Sequence, residues 1–130
     1  MQVQDAAGNP VAGVASVGVA ILTGGGTLGG TTPVSTNAAG LATFAGLSIT
    51  GTVGARTLQF TSAGLAPVTS AAVALAAGTP TQMAVSTGNA QSATAGSAVA
   101  IDPAVLVRDV SGNPVSGVAI TFAVASGGGS

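Results

Sequence analysis

The sequence predicts an all-β fold, a β-sandwich of short strands with Greek-key connections, and three observations carry that reading. Large apolar residues alternate with small or polar ones at a period of two, turn-forming residues punctuate the chain every few positions, and a motif near the start returns near the end. Alanine is common throughout and favours helix on propensity alone. Thr, Val and Gly recur closely enough to outweigh it, so essentially no α-helix is expected.

The repeat organises the chain. Val3-Gln4-Asp5-Ala6-Ala7-Gly8-Asn9-Pro10-Val11-Ala12-Gly13-Val14 returns 104 residues later as Val107-Arg108-Asp109-Val110-Ser111-Gly112-Asn113-Pro114-Val115-Ser116-Gly117-Val118. Both copies then reach a glycine triplet, Gly24-Gly25-Gly26 and Gly127-Gly128-Gly129, now 103 residues apart, so the first copy holds one extra residue. In the second copy Val118, Ile120, Phe122 and Val124 share one face of a strand. In the first the large residues are Val14, then Val17, Val19 and Ile21. A one-residue slip would turn every later side chain to the wrong face, which places a β-bulge near Ala15-Ser16.

Between the copies the predicted strands are Leu41 to Ile49, Thr57 to Ser62, Ala66 to Leu75, Gln82 to Thr87, and Val99 to Asp109 with an interruption at Pro103. Turns fall at Ser35-Thr36-Asn37-Ala38-Ala39-Gly40 and Ser111-Gly112-Asn113-Pro114. The expected core is Val14, Val17, Val19, Ile21, Phe44, Leu47, Leu58 and Phe60 in the first module, with Val105, Val107, Val118, Ile120, Phe122 and Val124 in the second. The repeat sets the boundaries: residues 1–79 are expected to be the back part of one module without its opening strands, and 80–130 the front part of the next without its later strands.

Composition narrows the function. Of 130 residues 47% are hydrophobic, but only 2% are aromatic and 4% charged, far below the usual quarter. His, Cys, Trp, Tyr, Lys and Glu are absent. There is no imidazole base, no thiolate, no amine nucleophile and no Cys/His metal set, so the expectation is a protein that is not an enzyme, with no catalytic, cofactor or metal residues. A net charge of −1 without runs of either sign argues against nucleic acid. Gly, Thr and Ser interrupt every apolar stretch, as where Val11 to Leu22 runs into Thr23-Gly24-Gly25-Gly26, so no membrane insertion is expected. Met1-Gln2-Val3-Gln4-Asp5 has neither a basic nor an apolar leader region.

Each motif that suggests chemistry has a plainer structural reading. Asp5 and Asp109 sit in Asp-x-x-Gly-Asn-Pro-Val, but calcium requires six to eight oxygens and each loop offers one carboxylate. A turn in which Gly8 or Gly112 takes positive φ, and the aspartate accepts backbone N–H groups, explains the motif better. The run Thr23-Gly24-Gly25-Gly26-Thr27-Leu28-Gly29-Gly30-Thr31 resembles a phosphate cradle but has no helix behind it and no lysine, and reads as a flexible inter-strand connection. Asp102, Arg56 and Arg108 are too few for a carboxylate pair or an oxyanion clamp, and Arg108 and Asp109, as strand neighbours, face opposite sides. Phe44, Phe60 and Phe122 read as core fillers. Thr57, Gln59 and Thr61, with Thr31 and Thr32, form an uncharged hydrogen-bonding surface that suits an exposed strand face, a sugar or a neighbouring sheet.

The Asp-x-x-Gly-Asn-Pro-Val motif, Thr121-Phe122, the glycine triplet and Thr36-Asn37-Ala38-Ala39-Gly40-Leu41-Ala42 together resemble the bacterial immunoglobulin-like repeat of group 1, found in invasin- and intimin-type surface proteins. The resemblance spans essentially the whole chain. It implies immunoglobulin-like Greek-key sandwich modules in tandem, each incomplete here, located outside the cell or on the bacterial surface. It also implies a structural role as a repeat of a fibre or adhesin stalk. The alternative is a glycan- or host-surface-binding module that uses one sheet face or the loop around Gly24 to Gly30. Incomplete modules expose strand edges, so neighbouring copies or adjacent repeats are the expected partners, through strand complementation. Residues 80–106 could instead close on 3–79 as a circular permutant, or each half could be completed within a continuous array. Low charge opposes side-by-side assembly little.

Overall fold

A computed structural model describes residues 1–13 and 16–127. Among them the fold is all-β without helix, built of several antiparallel sheets and consistent with a β-sandwich. The strands are β1 (Gly18–Thr23), β2 (Thr27–Gly29), β3 (Ser48–Thr50), β4 (Gly54–Thr61), β5 (Val68–Thr69), β6 (Val73–Leu75), β7 (Pro80–Thr87) and β8 (Ala104–Asp109). The chain divides into two compact units, the first over Met1–Ala76 and the second from Ala77 onward.

In the first unit β4 is the central strand. It pairs with β1 on one edge, Val19 opposite Phe60 and Ile21 opposite Leu58, and with β5 and then β6 on the other. The sequence predicts one strand from Ala66 to Leu75, but the structure divides it at Ser70. There Leu58 N–H donates to Ser70 Oγ at 2.9 Å and Ser70 N–H donates to Leu58 C=O at 2.8 Å. The serine hydroxyl thus stands in for a backbone acceptor while the strand jogs. The predicted strand Leu41 to Ile49 shortens to β3, because the Ala45-Gly46 turn, with Gly46 at φ 65°, interrupts extended backbone.

Beside this sheet the chain start forms a second layer of contacts. Val3 N–H donates to Gly40 C=O, Ala42 N–H to Met1 C=O, and Val17 and Val34 exchange both backbone bonds. Val3, Val17 and Ala42 are buried together, with Met1, Val11, Val34 and Phe44 packed around them. Phe44 also meets Phe60, ring centroids 5.5 Å apart at 45°. The expected core residues Val17, Val19 and Leu58 are buried, while Ile21, Phe44, Leu47 and Phe60 are half-buried. Val14, and the bulge expected near Ala15, lie outside the described residues. Ser16 beside them has φ 67°, and a register shift does occur further on, between Ile21 and Thr23.

The second unit is built on the β7–β8 hairpin. The predicted strand from Val99 begins only at Ala104, since Pro103 has no N–H to donate and constrains its neighbour. Val105, Val107, Val118 and Ile120 are half-buried. Phe122 and Val124 correct the expectation: they are 64% and 66% exposed, and the predicted strand Val118 to Val124 is not formed. Their counterparts Val19 and Ile21 are covered because β4 pairs alongside them, and no described strand of the second unit does the same for Phe122 and Val124.

Candidate functional site

The repeated motif folds into a repeated turn, matched bond for bond. Asp5 N–H donates to Asn9 C=O, Gly8 N–H to Asp5 C=O, and the N–H groups of Ala7 and Asn9 both donate to Asp5 Oδ1 at 2.9 Å. Asp109 makes the same set with Asn113, Gly112 and Ser111. The asparagine amide closes each loop onto Oδ2, at 3.0 Å from Asn9 and 2.9 Å from Asn113. Gly8 and Gly112 sit at φ 85° and 81°, where only glycine is unstrained. One extra bond then ties the strand together, Val11 N–H to Val3 C=O and Val115 N–H to Val107 C=O.

A third turn has the same construction with asparagine in place of aspartate. Asn37 N–H donates to Leu41 C=O, Gly40 N–H to Asn37 C=O, and the N–H groups of Ala39 and Leu41 donate to Asn37 Oδ1. The sequence motifs had separated Asn37 from the aspartates, although the spacing Asx-x-x-Gly is shared. The charge is therefore dispensable for the turn, since a neutral amide oxygen accepts the same two N–H groups.

The two aspartates differ in surroundings. Asp5 and Asn9 are exposed, whereas Asp109 and Asn113 are 3% and 4% exposed, and Gly78 N–H adds a further bond to Asp109 Oδ2 at 2.8 Å. The Asn113 amide, then the Gly78 N–H, hold the Asp109 carboxyl at about 2 against an ordinary 3.8. Bonds from Asn9 lower the Asp5 carboxyl as well. This is turn chemistry: each carboxylate accepts from the N–H groups of its own loop, and Asp109 in addition ties in the Gly78 backbone. Arg108 Nη1 donates to Gly112 C=O at 2.8 Å, away from its neighbour's carboxylate. Asp102 accepts from the Thr87 hydroxyl through its backbone C=O. No group of three potential metal ligands occurs among the described residues.

Arg56 is the residue whose place the sequence reading missed. It lies in β4 at 2% exposure, its Nε donating to Gly25 C=O at 3.2 Å and its Nη2 to Thr52 C=O. The glycine triplet therefore is not the loose connection expected of it. A Cβ on Gly24 would stand 2.3 Å from Ala55 C=O and one on Gly26 2.6 Å from Thr50 C=O, so the loop lies tightly against Arg56 and β3. The pairing of Thr23 with Thr57 brings three glycines beside the only arginine in the first unit, and Gly51 and Gly54 approach its guanidinium from the other side of the chain. The Thr57 hydroxyl is bonded to the Thr23 hydroxyl at 2.8 Å, so the threonine face is partly engaged by its own sheet.

No family model, curated protein or solved structure matches the chain.

Proposed function

We propose that the chain is a structural repeat segment of a secreted or surface-anchored bacterial fibre or adhesin stalk, built of immunoglobulin-like modules in tandem. The observation that supports this most is the reproduction of one hydrogen-bonded turn at Asp5 and Asp109, 104 residues apart, with the same strand tie at Val3 and Val107. Recurrence of a whole supersecondary unit at module spacing is how arrays are built, each unit resting on the next. The inward-turned carboxylates fit the same role, since they spend their hydrogen bonds on holding the loop.

Electron microscopy of polypeptides carrying two, four and six tandem copies tests the reading. A stalk gives rods whose length grows by a constant increment per copy at constant width. Particles that grow in all dimensions, or that collapse to spheres, overturn it. An antibody against the chain that labels intact source cells supports the surface location, and labelling only after permeabilisation refutes it.

A further inference from the structure

The geometry points to the Asp102–Pro103 peptide bond as a self-cleavage site, with the Asp102 carboxyl as nucleophile and the Thr87 hydroxyl as the donor that activates the carbonyl it attacks. The inference is independent of the stalk reading. It begins with how the three aspartates are used. Asp5 and Asp109 accept the N–H groups of their own turns through Oδ1 and the amide of Asn9 or Asn113 through Oδ2. Among the described residues no donor reaches the Asp102 carboxyl. Asp102 is held through its backbone instead, its C=O accepting from Thr87 Oγ1 at 3.1 Å.

The bond is fixed from both sides. Thr87 ends β7 and pairs with Ala104 at the start of β8, so its hydroxyl stands where the loop between the strands returns. On the loop side Gln91 grips Ile101 as a strand partner would. Ile101 N–H donates to Gln91 Oε1 at 2.8 Å, and Gln91 Nε2 donates to Ile101 C=O at 2.7 Å and to Gly88 C=O at 2.9 Å. Gly88, at φ 74°, lies so close that a Cβ there would stand 2.7 Å from Pro103 Cα and 2.8 Å from Pro103 N. Ile101, the Asp102 carbonyl and the Pro103 backbone are thereby held, while the Asp102 side chain carries no bond. The other charged side chains of the second unit, Arg108 and Asp109, are bonded into the turn at the opposite end of β8.

An Asp–Pro bond supplies both parts of an intramolecular cleavage. A carboxyl oxygen of Asp102 closes a five-membered ring onto its own carbonyl carbon, so the nucleophile is already in place. The Pro103 nitrogen, a tertiary amide without N–H, leaves as a secondary amine. In the step Oδ attacks the Asp102 carbonyl carbon, the C–N bond to Pro103 breaks, and its electron pair takes a proton from the acidic medium. Water then opens the cyclic anhydride, leaving a C-terminal Asp102 with two carboxyl groups and an N-terminal Pro103. One water is consumed, and nothing is oxidised or reduced. Negative charge grows on the carbonyl oxygen during attack, and that oxygen is the one to which the Thr87 hydroxyl donates. Asp5 and Asp109 lack the leaving group as well as the free carboxyl, since Ala6 and Val110 follow them. The cut falls between β7 and β8, so strand pairing holds the two fragments together after it.

The purified chain, held at about pH 4 so that the Asp109 turn stays ionised, should accumulate fragments 1–102 and 103–130. Mass spectrometry under denaturing conditions reads them, and their masses should sum to that of the chain plus one water. Thr87→Val keeps the side-chain shape without the hydroxyl and should slow the cut about tenfold, short of the roughly hundredfold loss of a donor in a buried site; Thr87→Ser should restore it. Asp102→Glu, which must close a six-membered ring, should also be slow. A peptide of residues 98–106 has the bond but neither Thr87 nor Gln91, and should be cut more slowly than the chain by a factor similar to that of Thr87→Val. This comparison decides the matter even where Thr87→Val does not fold. A chain cut no faster than the peptide, or a folded Thr87→Val chain cut as fast as the unsubstituted one, overturns the inference. Neither result touches the stalk reading, which rod length tests.

Discussion

Replacing Arg56 by methionine keeps most of the aliphatic stem and removes the guanidinium that joins two turns. Gly25 lies in the connection between β1 and β2 and Thr52 in that between β3 and β4, and each loses its donor. Hydrogen bonds from a charged donor contribute about 1.5–3 kcal/mol each. Some of that is returned, because the guanidinium no longer has to be desolvated and water can reach the loosened loop. The net cost expected is about 3 kcal/mol. With a urea m-value of about 1–2 kcal/mol per molar, the midpoint should fall by roughly 1.5–3 M. The chain has no Trp or Tyr, so far-UV circular dichroism is the assay. Arg108→Met is the matched control, because its exposed side chain bonds one turn carbonyl, and should shift the midpoint by the equivalent of less than about 0.5 kcal/mol. Arg56→Lys should fall between them, a single ammonium being unable to reproduce the planar fork. Equal midpoints for Arg56→Met and Arg108→Met would refute the clamp.

Gly24→Ala should lower the melting temperature more than Gly25→Ala, because both positions have positive φ but only Gly24 would drive a Cβ into Ala55 C=O; equal shifts would deny the close approach. Phe60→Ala should cost about 2–4 kcal/mol through lost packing against Phe44, and an unchanged melting temperature would remove Phe60 from the core. Asp109 is ionised more readily folded than unfolded, so its contribution to stability is fully present above about pH 4 and lost as pH falls from there towards about 2. Asp109→Asn should keep the two bonds to Oδ1, as Asn37 does, lose those that Oδ2 accepts from Asn113 and Gly78, and so lower stability at neutral pH while flattening that part of the profile; a profile of unchanged steepness would show that Asp109 does not carry it.

What the sequence made legible follows from which interactions are local. The period-two runs around Leu58 and Met83 gave the strands seen as β4 and β7, and the Asx-x-x-Gly spacing gave the turns, because alternation and turn geometry are properties of a few adjacent residues. Residues 118–124 carry the same alternation without forming the predicted strand, since a strand exists only where a partner lies alongside, and partners are distant in sequence. Exposed Phe122 and buried Val19 occupy equivalent positions in the repeat, and it is Val19 that has β4 beside it. Arg56 was hidden for a related reason. A lone arginine reads as solvated, and its burial becomes sensible only once strand pairing brings the glycine triplet against it.

Amide hydrogen exchange, resolved by residue, tests most directly the claim that residues 1–17 and 105–120 are one repeated element that takes the same cover. In dilute chain the N–H groups of Val3, Gly13 and Val17 should be protected, and those of Val107, Gly117 and Ile120 should exchange at least a hundredfold faster. In a polypeptide with residues 28–79 joined after residue 130, which continues the repeat in register, Val107, Gly117 and Ile120 should become as protected as Val3, Gly13 and Val17. Early protection of Val107, Gly117 and Ile120 in the dilute chain, or no gain on joining residues 28–79, would contradict the account.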